Sequence, residues 1–410
     1  MTVSPHEDAR IPQHRASKSV QSPETMRRNN LSVVLTLLHR EGTLSRAQIT
    51  ERTGFNRSTV GALVAELGEL DLVFESEPQA AGRAGRPSPL VHPNEKVAAV
   101  AINPDIDAVH VGIVGLGGKV HRRIRYEAAT KPTPAETVNI SKAILDGTRA
   151  DIEALDHIVA AGVAVPALVQ ASDGKILLAP HLEWANESLS SLLGPALGLP
   201  VRVGNDATLG SVAESIHGAA HGYANVLYLN GSASGIGGGI LTDGTPLRGA
   251  SGFAGELGHT LVNTDGALCH CGRRGCLDAE VRVERLLEIL EFDSADLDSL
   301  EQAISGNECA QLGNEINRQI DLLAVALTNF VNIFNPEMIV LGGFLGTIYA
   351  MRPKRLTDAV ASGPIAGLGR EVKIKKAVLG SDLLLIGAAE LAFAQLLSDP
   401  AGYRTAMQAP

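Results

Sequence analysis

Gly252-Phe253-Ala254-Gly255-Glu256-Leu257-Gly258-His259, followed by Cys269-His270-Cys271-Gly272-Arg273-Arg274-Gly275-Cys276, is the most chemically dense stretch of this 410-residue chain. Three of its four cysteines fall within eight positions, a clustering that suits a metal site better than a disulfide framework. His259, Cys269, Cys271 and Cys276 form the spacing H-x9-C-x-C-x4-C. Three thiolates and an imidazole make the closed tetrahedral set of a structural zinc, and the intervening glycines let the loop fold tightly around the ion. No open coordination position is implied, which disfavours a catalytic zinc. The competing reading is a set of reduced, buried cysteines. His270 and Cys309 read as bystanders.

Away from this cluster the grammar is that of an α/β protein. Val97–Ile102 and Val109–Val114 are apolar strand candidates, and Gly117-Gly118 marks a hairpin turn. A helical run over 135–154 precedes a buried strand at Ile158–Val165. Further strands are expected at Val201, Val226–Leu229 and Met338–Leu341, the last after a helix spanning Gly313–Phe334. Strands alternating with long helices predict a parallel-rich sheet covered on both faces, and the length fits two such lobes with a cleft between them.

Upstream the pattern changes. Residues 1–24 mix Pro, Ser, Gln and charge without periodicity and read as a disordered tail. Helical spacing begins near Met26 and runs through Leu31, Val34, Leu35 and Leu38. Ser45 then caps a short helix to Thr53, Gly54 makes a turn, and Asn56 caps a second helix to Leu70. With Val60, Leu63, Val64 and Leu67 facing inward, Arg57, Ser58 and Thr59 are left on the outer first turn. Those are the positions from which a recognition helix reaches base edges. Leu72-Val73-Phe74, a Gly/Arg/Pro-rich loop from Gly82 to Pro89, and Leu90-Val91 read as strand, wing and strand. Arg83 and Arg86 would enter a minor groove, while Arg46 and Asn56 complete the predicted DNA-contacting set. A generic three-helix bundle with a basic linker is the blander reading.

The net charge of −10 argues against nucleic acid only superficially. Residues 1–94 carry 11 basic and 10 acidic side chains, and between Arg27 and Ser58 six Arg face two Glu. A local basic face matters more than the overall balance when phosphate is the partner. The first twenty residues have no apolar core of the signal-peptide type, and no run approaches 18 uninterrupted apolar residues. A cytoplasmic protein with no membrane span is expected.

The Gly252–His259 and Cys269–Cys276 motifs resemble those of the ROK family (repressors, open reading frames and kinases), over roughly Met26 to Ala394. The head makes the chain similar to the repressor branch. The resemblance implies a winged helix-turn-helix followed by a two-lobed sugar kinase/actin-like α/β domain. It divides the chain at 1–24 (tail), 25–94 (head), 95–205 (first lobe, completed by a C-terminal helix at 383–397) and 206–382 (second lobe with the zinc site). It also implies sugar contacts at Asn205, Asp206, Glu256, His259 and Asp278, although the family usually has Glu at the last position. Sugar hydroxyls need fixed acceptors and donors, which these groups supply.

The family's kinases open with Asp-x-Gly-Gly-Thr, whereas the matching stretch here is Asn103-Pro104-Asp105-Ile106-Asp107. It has no glycine pair, a proline without an N–H, and two carboxylates that would repel phosphate. The glycine loop Gly231–Gly239 survives. The resulting expectation is a non-enzymatic repressor of carbohydrate-utilisation genes, modulated by a sugar or sugar phosphate and acting as a homodimer or homotetramer on operator DNA. An ATP-dependent sugar kinase carrying a DNA-binding head is the alternative.

Overall fold

Ser22 accepts a hydrogen bond from the Thr25 N–H and, with Pro23 at the first helical position, starts helix α1 (Pro23–Glu41). Ser45 and Gln48 form a reciprocal capping box that starts α2 (Arg46–Thr53). Gly54, at φ 71°, adopts the left-handed turn that a residue with a Cβ would resist, and Asn56 then caps α3 (Arg57–Glu69). Strands β1 (Leu44–Ser45), β2 (Val73–Ser76) and β3 (Leu90–Pro93) pair antiparallel in the order β1-β3-β2. This is the expected winged helix-turn-helix. Leu31, Val34, Leu35, Leu38, Ile49, Val60 and Leu67 are completely buried in its core, each worth about 2 kcal/mol by transfer from water. The structure, a computed structural model, describes residues 22–77, 88–232, 234–292, 297–305 and 309–407.

The body contains two five-stranded sheets with the same connectivity. The first has β4 (Val97–Pro104), β5 (Ala108–Gly115), β6 (Val120–Glu127), β7 (His157–Val165) and β11 (Val201–Asn205) in the order β11-β7-β4-β5-β6. The second has β12 (Val226–Ser232), β13 (Gly235–Thr242), β14 (Thr245–Pro246), β15 (Met338–Gly342) and β16 (Lys373–Lys376) in the order β14-β13-β12-β15-β16. In each, a three-strand meander is followed by two strands that join in parallel.

The sheets are therefore half parallel and half antiparallel, which corrects the expectation of parallel-rich sheets. Short turns after β4, β5, β12 and β13 force antiparallel neighbours, and parallel pairing occurs only where a helix crosses over. A small antiparallel sheet, β8 (Leu168–Val169), β9 (Ile176–Ala179) and β10 (Trp184–Glu187), was not anticipated. The helical run expected over 135–154 is two helices, α4 (Pro134–Gly147) and α5 (Arg149–Glu153). They are separated at Thr148, which follows Gly147 and caps α4 with its N–H bonded to the Ile144 and Leu145 carbonyls.

After α6 (Leu189–Leu197), helix α7 (Asp206–His217) leaves the end of β11 and runs between the lobes. The short helices α8 (Leu277–Glu280), α9 (Val283–Leu290) and α10 (Leu297–Ser305) precede the long α11 (Ala310–Phe334), then α12 (Gly343–Met351) and α13 (Pro353–Ser362). Helix α14 (Leu383–Ser398) returns to pack on β4, β7 and α7, and α15 (Pro400–Met407) packs on α1. Head and first lobe share one apolar core, in which Leu35 and Leu38 belong with Ala388, Phe393 and Leu396. The segment Gly380–Ser398 is long and apolar enough to cross a membrane, but 56% of it is buried inside the protein.

Candidate functional site

A cavity of about 510 Å³ opens between the two sheets, within the range of roughly 300–1,000 Å³ usual for small-molecule sites. Asn205, Asp206, Glu256, His259 and Asp278 all line it, so the structure brings together every residue singled out for the sugar. They do not stand equally free. The Asn205 Oδ1 accepts the Thr208 N–H at 2.9 Å, while its Nδ2 faces the Ala167 carbonyl at 3.1 Å and Asp206 Oδ1 at 3.2 Å. Asn205 thus caps α7 and steers its neighbour.

Asp206 Oδ1 also accepts the Ala207 N–H at 2.8 Å; among the described residues Oδ2 has no partner and is available to a ligand. Burial pushes this carboxyl up to about 6, with the negative groups of Asp105 and Glu256 adding to the rise. Glu256 stands at the start of the short turn Leu257–His259, where its carbonyl accepts the His259 N–H, and its carboxylate has no hydrogen-bond partner among the described residues. The desolvating cleft wall pushes its carboxyl upward as well.

Asp278 is more engaged than expected. Its Oδ1 accepts the Ile236 N–H at 2.7 Å, which pins the start of β13, and its Oδ2 faces His270 Nδ1 at 3.3 Å. His270, read as a bystander, lines the cavity and sets its ring edge-on to those of His259 and His181. Its position between two cluster cysteines was the available signal. His181 and Phe253 also line the cavity; Phe253 stood inside the quoted motif, whereas nothing in the sequence around His181 marks it.

On the cavity wall, His259, Cys269, Cys271 and Cys276 place their ligand atoms within 4.8 Å of one another. His259 Nδ1 is 3.6 Å from Cys269 Sγ, and Cys271 and Cys276 sulfurs are 3.7 Å apart. A tetrahedron with metal–sulfur and metal–nitrogen bonds of about 2.3 and 2.0 Å has edges close to these values. The four residues can therefore hold a metal ion. Burial pushes the Cys269 thiol up to about 12, so a cation is what would make three neighbouring thiolates compatible. Nδ1 is the His259 nitrogen nearest the sulfur, which leaves Nε2 as the other face of the ring.

In the head, Arg57 and Ser58 are exposed and Thr59 half-buried on the first turn of α3. Asn56 uses its Oδ1 for the Thr59 N–H at 2.8 Å and the Ser58 hydroxyl at 2.7 Å, so it shapes that turn. Arg57 has no hydrogen bond or ion pair among the described residues. Arg46 is different: its Nε and Nη2 both donate to the Glu75 carboxylate of β2 at 2.6 Å, tying α2 to the wing strands. Arg83 and Arg86 lie outside the described residues.

A helix-turn-helix head with paired wing strands, on a two-lobed kinase-like body with a cleft, defines a winged-helix transcriptional regulator. Within that class, the chain belongs to the ROK family, whose sequence pattern matches residues 100–395. A xylose repressor of Caldicellulosiruptor bescii is 26% identical over 398 residues, covering 91% of this chain and 97% of that protein. A glucokinase of Thermotoga maritima is 28% identical over 251 residues, which is 57% of this chain and 77% of the kinase. A crystal structure of a ROK family transcriptional regulator, a homolog of the Escherichia coli MLC protein, matches with a TM-score of 0.75 at 21% identity, over 91% of this chain and 97% of its own.

Proposed function

We propose that this protein is a transcriptional repressor of carbohydrate-utilisation genes whose operator affinity is set by a sugar bound between the lobes. The observation that carries the reading is that likeness to a xylose repressor extends through head and body alike, over 97% of that protein. Arg57, Ser58 and Thr59 read base edges from the major groove, and Arg83 and Arg86 of the wing add minor-groove and phosphate contacts. Asp206, Glu256 and His259 accept and donate to sugar hydroxyls. The His259–Cys269–Cys271–Cys276 cluster holds a structural Zn²⁺ that fixes the His259 ring and with it one wall of the cleft. Operators read by such heads call for a symmetric dimer or tetramer.

The chemistry of the cleft favours an unphosphorylated sugar as effector. Among the described residues lining it are three carboxylates and no Lys or Arg. The N–H groups of Ile106, Ala207 and Ile236, which might have cradled a phosphate, already bind the side chains of Asp105, Asp206 and Asp278. The same occupancy argues against the kinase alternative, since phosphoryl transfer is mostly positioning and charge stabilisation.

The test is operator binding by fluorescence anisotropy, on DNA selected with the wild-type chain, across a panel of free and phosphorylated sugars. Arg57→Ala is expected to weaken operator binding by about 1–3 kcal/mol and relax preference at one or two base pairs. Full operator affinity in that variant, or no response to any sugar, overturns the reading.

A further inference from the structure

Glu390 sits in the middle of α14, surrounded along that helix by Ile386, Ala389 and Phe393, and is buried. A carboxylate in such a helix destabilises the fold unless it is paired, and an apolar residue would hold the same interface at lower cost. Its partners come from two different parts of the molecule. Glu390 Oε1 lies 2.8 Å from His39 Nε2, on the last turn of head helix α1, and 2.8 Å from His217 Nε2, the last residue of α7. Oε2 lies 3.0 Å from His39 Nε2.

The turn between β5 and β6 closes the cluster. The Gly117 N–H donates to His39 Nδ1 at 3.0 Å, and a Cβ on Gly118, whose φ is 80°, would come within 2.8 Å of the His217 ring. The two imidazoles meet edge to face at 5.4 Å.

His39, His217 and Glu390 could be read as a second metal site. The Gly117 N–H speaks against that. With Nδ1 accepting, the proton of a neutral His39 ring sits on Nε2, where it donates to Glu390 and leaves no lone pair for an ion. The cluster is a hydrogen-bonded joint between head and body.

The other end of α7 is the cleft: Asn205 caps it and Asp206 is its first residue. A 12-residue helix spans about 18 Å and moves nearly as a rigid rod. We infer that Glu390 is a positioning residue that couples the two activities: a sugar drawing on Asp206 shifts α7, and His217, Glu390 and His39 carry that shift into α1. The inference rests on the sugar-responsive reading above. A joint of directed hydrogen bonds suits this role because it has discrete arrangements, whereas an apolar contact would slide.

The experiment uses the full-length protein, D-xylose as probe and the selected operator duplex. Three quantities are measured: operator Kd without sugar, operator Kd with saturating D-xylose, and D-xylose Kd by calorimetry. The wild type is expected to show about a tenfold ratio between the two operator values. In Glu390→Gln the ratio falls to within twofold of one, while D-xylose affinity and sugar-free operator affinity stay within threefold of wild type. His217→Gln, which keeps an N–H facing Glu390, retains most of the coupling, and His217→Ala loses it. Amide exchange on the wild type is a second readout that does not depend on any variant folding: D-xylose should change exchange around His39 and Gly117. Full coupling in folded Glu390→Gln and His217→Ala, or exchange unaltered at both places, overturns the joint alone. Wild-type protein whose operator affinity ignores D-xylose and every other sugar of the panel overturns the regulator reading and the joint with it; where another sugar of the panel acts, that sugar replaces D-xylose as the probe.

Discussion

The first sheet turns from β4 into β5 through Asp105, Ile106 and Asp107, and in the second β12 ends at Ser232 and β13 begins at Gly235. The two hairpins occupy equivalent places in sheets of identical connectivity. Their chemistry has diverged. The second keeps small residues, and Ser232 and Ser234 hydrogen-bond each other at 2.8 Å beside the cavity. The first has a proline and two acids, and burial pushes the Asp105 carboxyl upward. A phosphate held between two loops needs donors from both, whereas a sugar held as proposed by Asp206, Glu256 and His259 needs neither. One fold can therefore lose transfer chemistry at one hairpin and keep recognition intact.

The sharpest way to break this comparison is an assay for sugar-dependent ADP release. Kinases turn over at roughly 1–100 s⁻¹, and this chain is expected to fall at least about 10⁴-fold below that range for any sugar it binds. Release at ordinary rates, abolished by Asp206→Ala, would show that the acidic hairpin is no obstacle.

The next largest effect concerns the wall of the second half. Cys271→Ser should lower bound zinc from about one ion per chain to near none and weaken sugar binding about 10–100-fold, although Cys271 need not touch the sugar. Elemental analysis and calorimetry on the same preparation check both numbers.

Asp206→Asn should weaken sugar binding about tenfold, the scale of one charge-assisted hydrogen bond. Because burial raises the Asp206 carboxyl to about 6, its strong acceptor form appears only as the pH rises through that value. Wild-type affinity should accordingly improve from pH 5 to pH 7, while the Asn variant stays flat. The same raised value means that Asp206 stabilises the fold relative to the unfolded chain only at low pH. That contribution is lost between about pH 4 and 6 as the carboxyl ionises.

The smallest effect sharpens the comparison most. Asp105 contributes to raising Asp206, so Asp105→Asn should move the midpoint of the affinity profile to lower pH by a fraction of a unit. An unmoved midpoint would show that the first hairpin has no electrostatic reach into the cleft.

Some of this architecture could be read directly from the residues. Ser45, Gly54 and Asn56 marked both helices of the head to within a residue, because capping and left-handed turns are decided locally. The four-residue cluster able to hold a metal ion was legible for the same reason. The break at Thr148 was not, since apolar spacing continues across it. Strand direction was misjudged because strand and helix patterns reveal alternation, while pairing depends on the length of the turn between strands. The five residues proposed for the sugar were named through family motifs, but their division of labour was hidden. That Asn205 turns its Nδ2 to Ala167, Asp278 its Oδ1 to Ile236 and Arg46 its guanidinium to Glu75 depends on distant partners. The contact between His39 and Glu390, 351 residues apart, has no local signature at all.

The packing of α15 against α1 has a consequence for how such proteins diversify. Arg28 of α1 pairs with Asp399, and the Ser32 hydroxyl donates to the Leu397 carbonyl at 2.6 Å. Segments about 370 residues apart in the sequence are thus stitched together along α1. A head exchanged between relatives by recombination would arrive without its matching strap, and its α1 would present a mismatched surface to Asp399 and Leu397. Under the proposed reading, new operator preferences in this lineage are expected to arise by drift of the first turn of α3, where the exposed Arg57 side chain has no ion pair among the described residues, rather than by wholesale trade of heads.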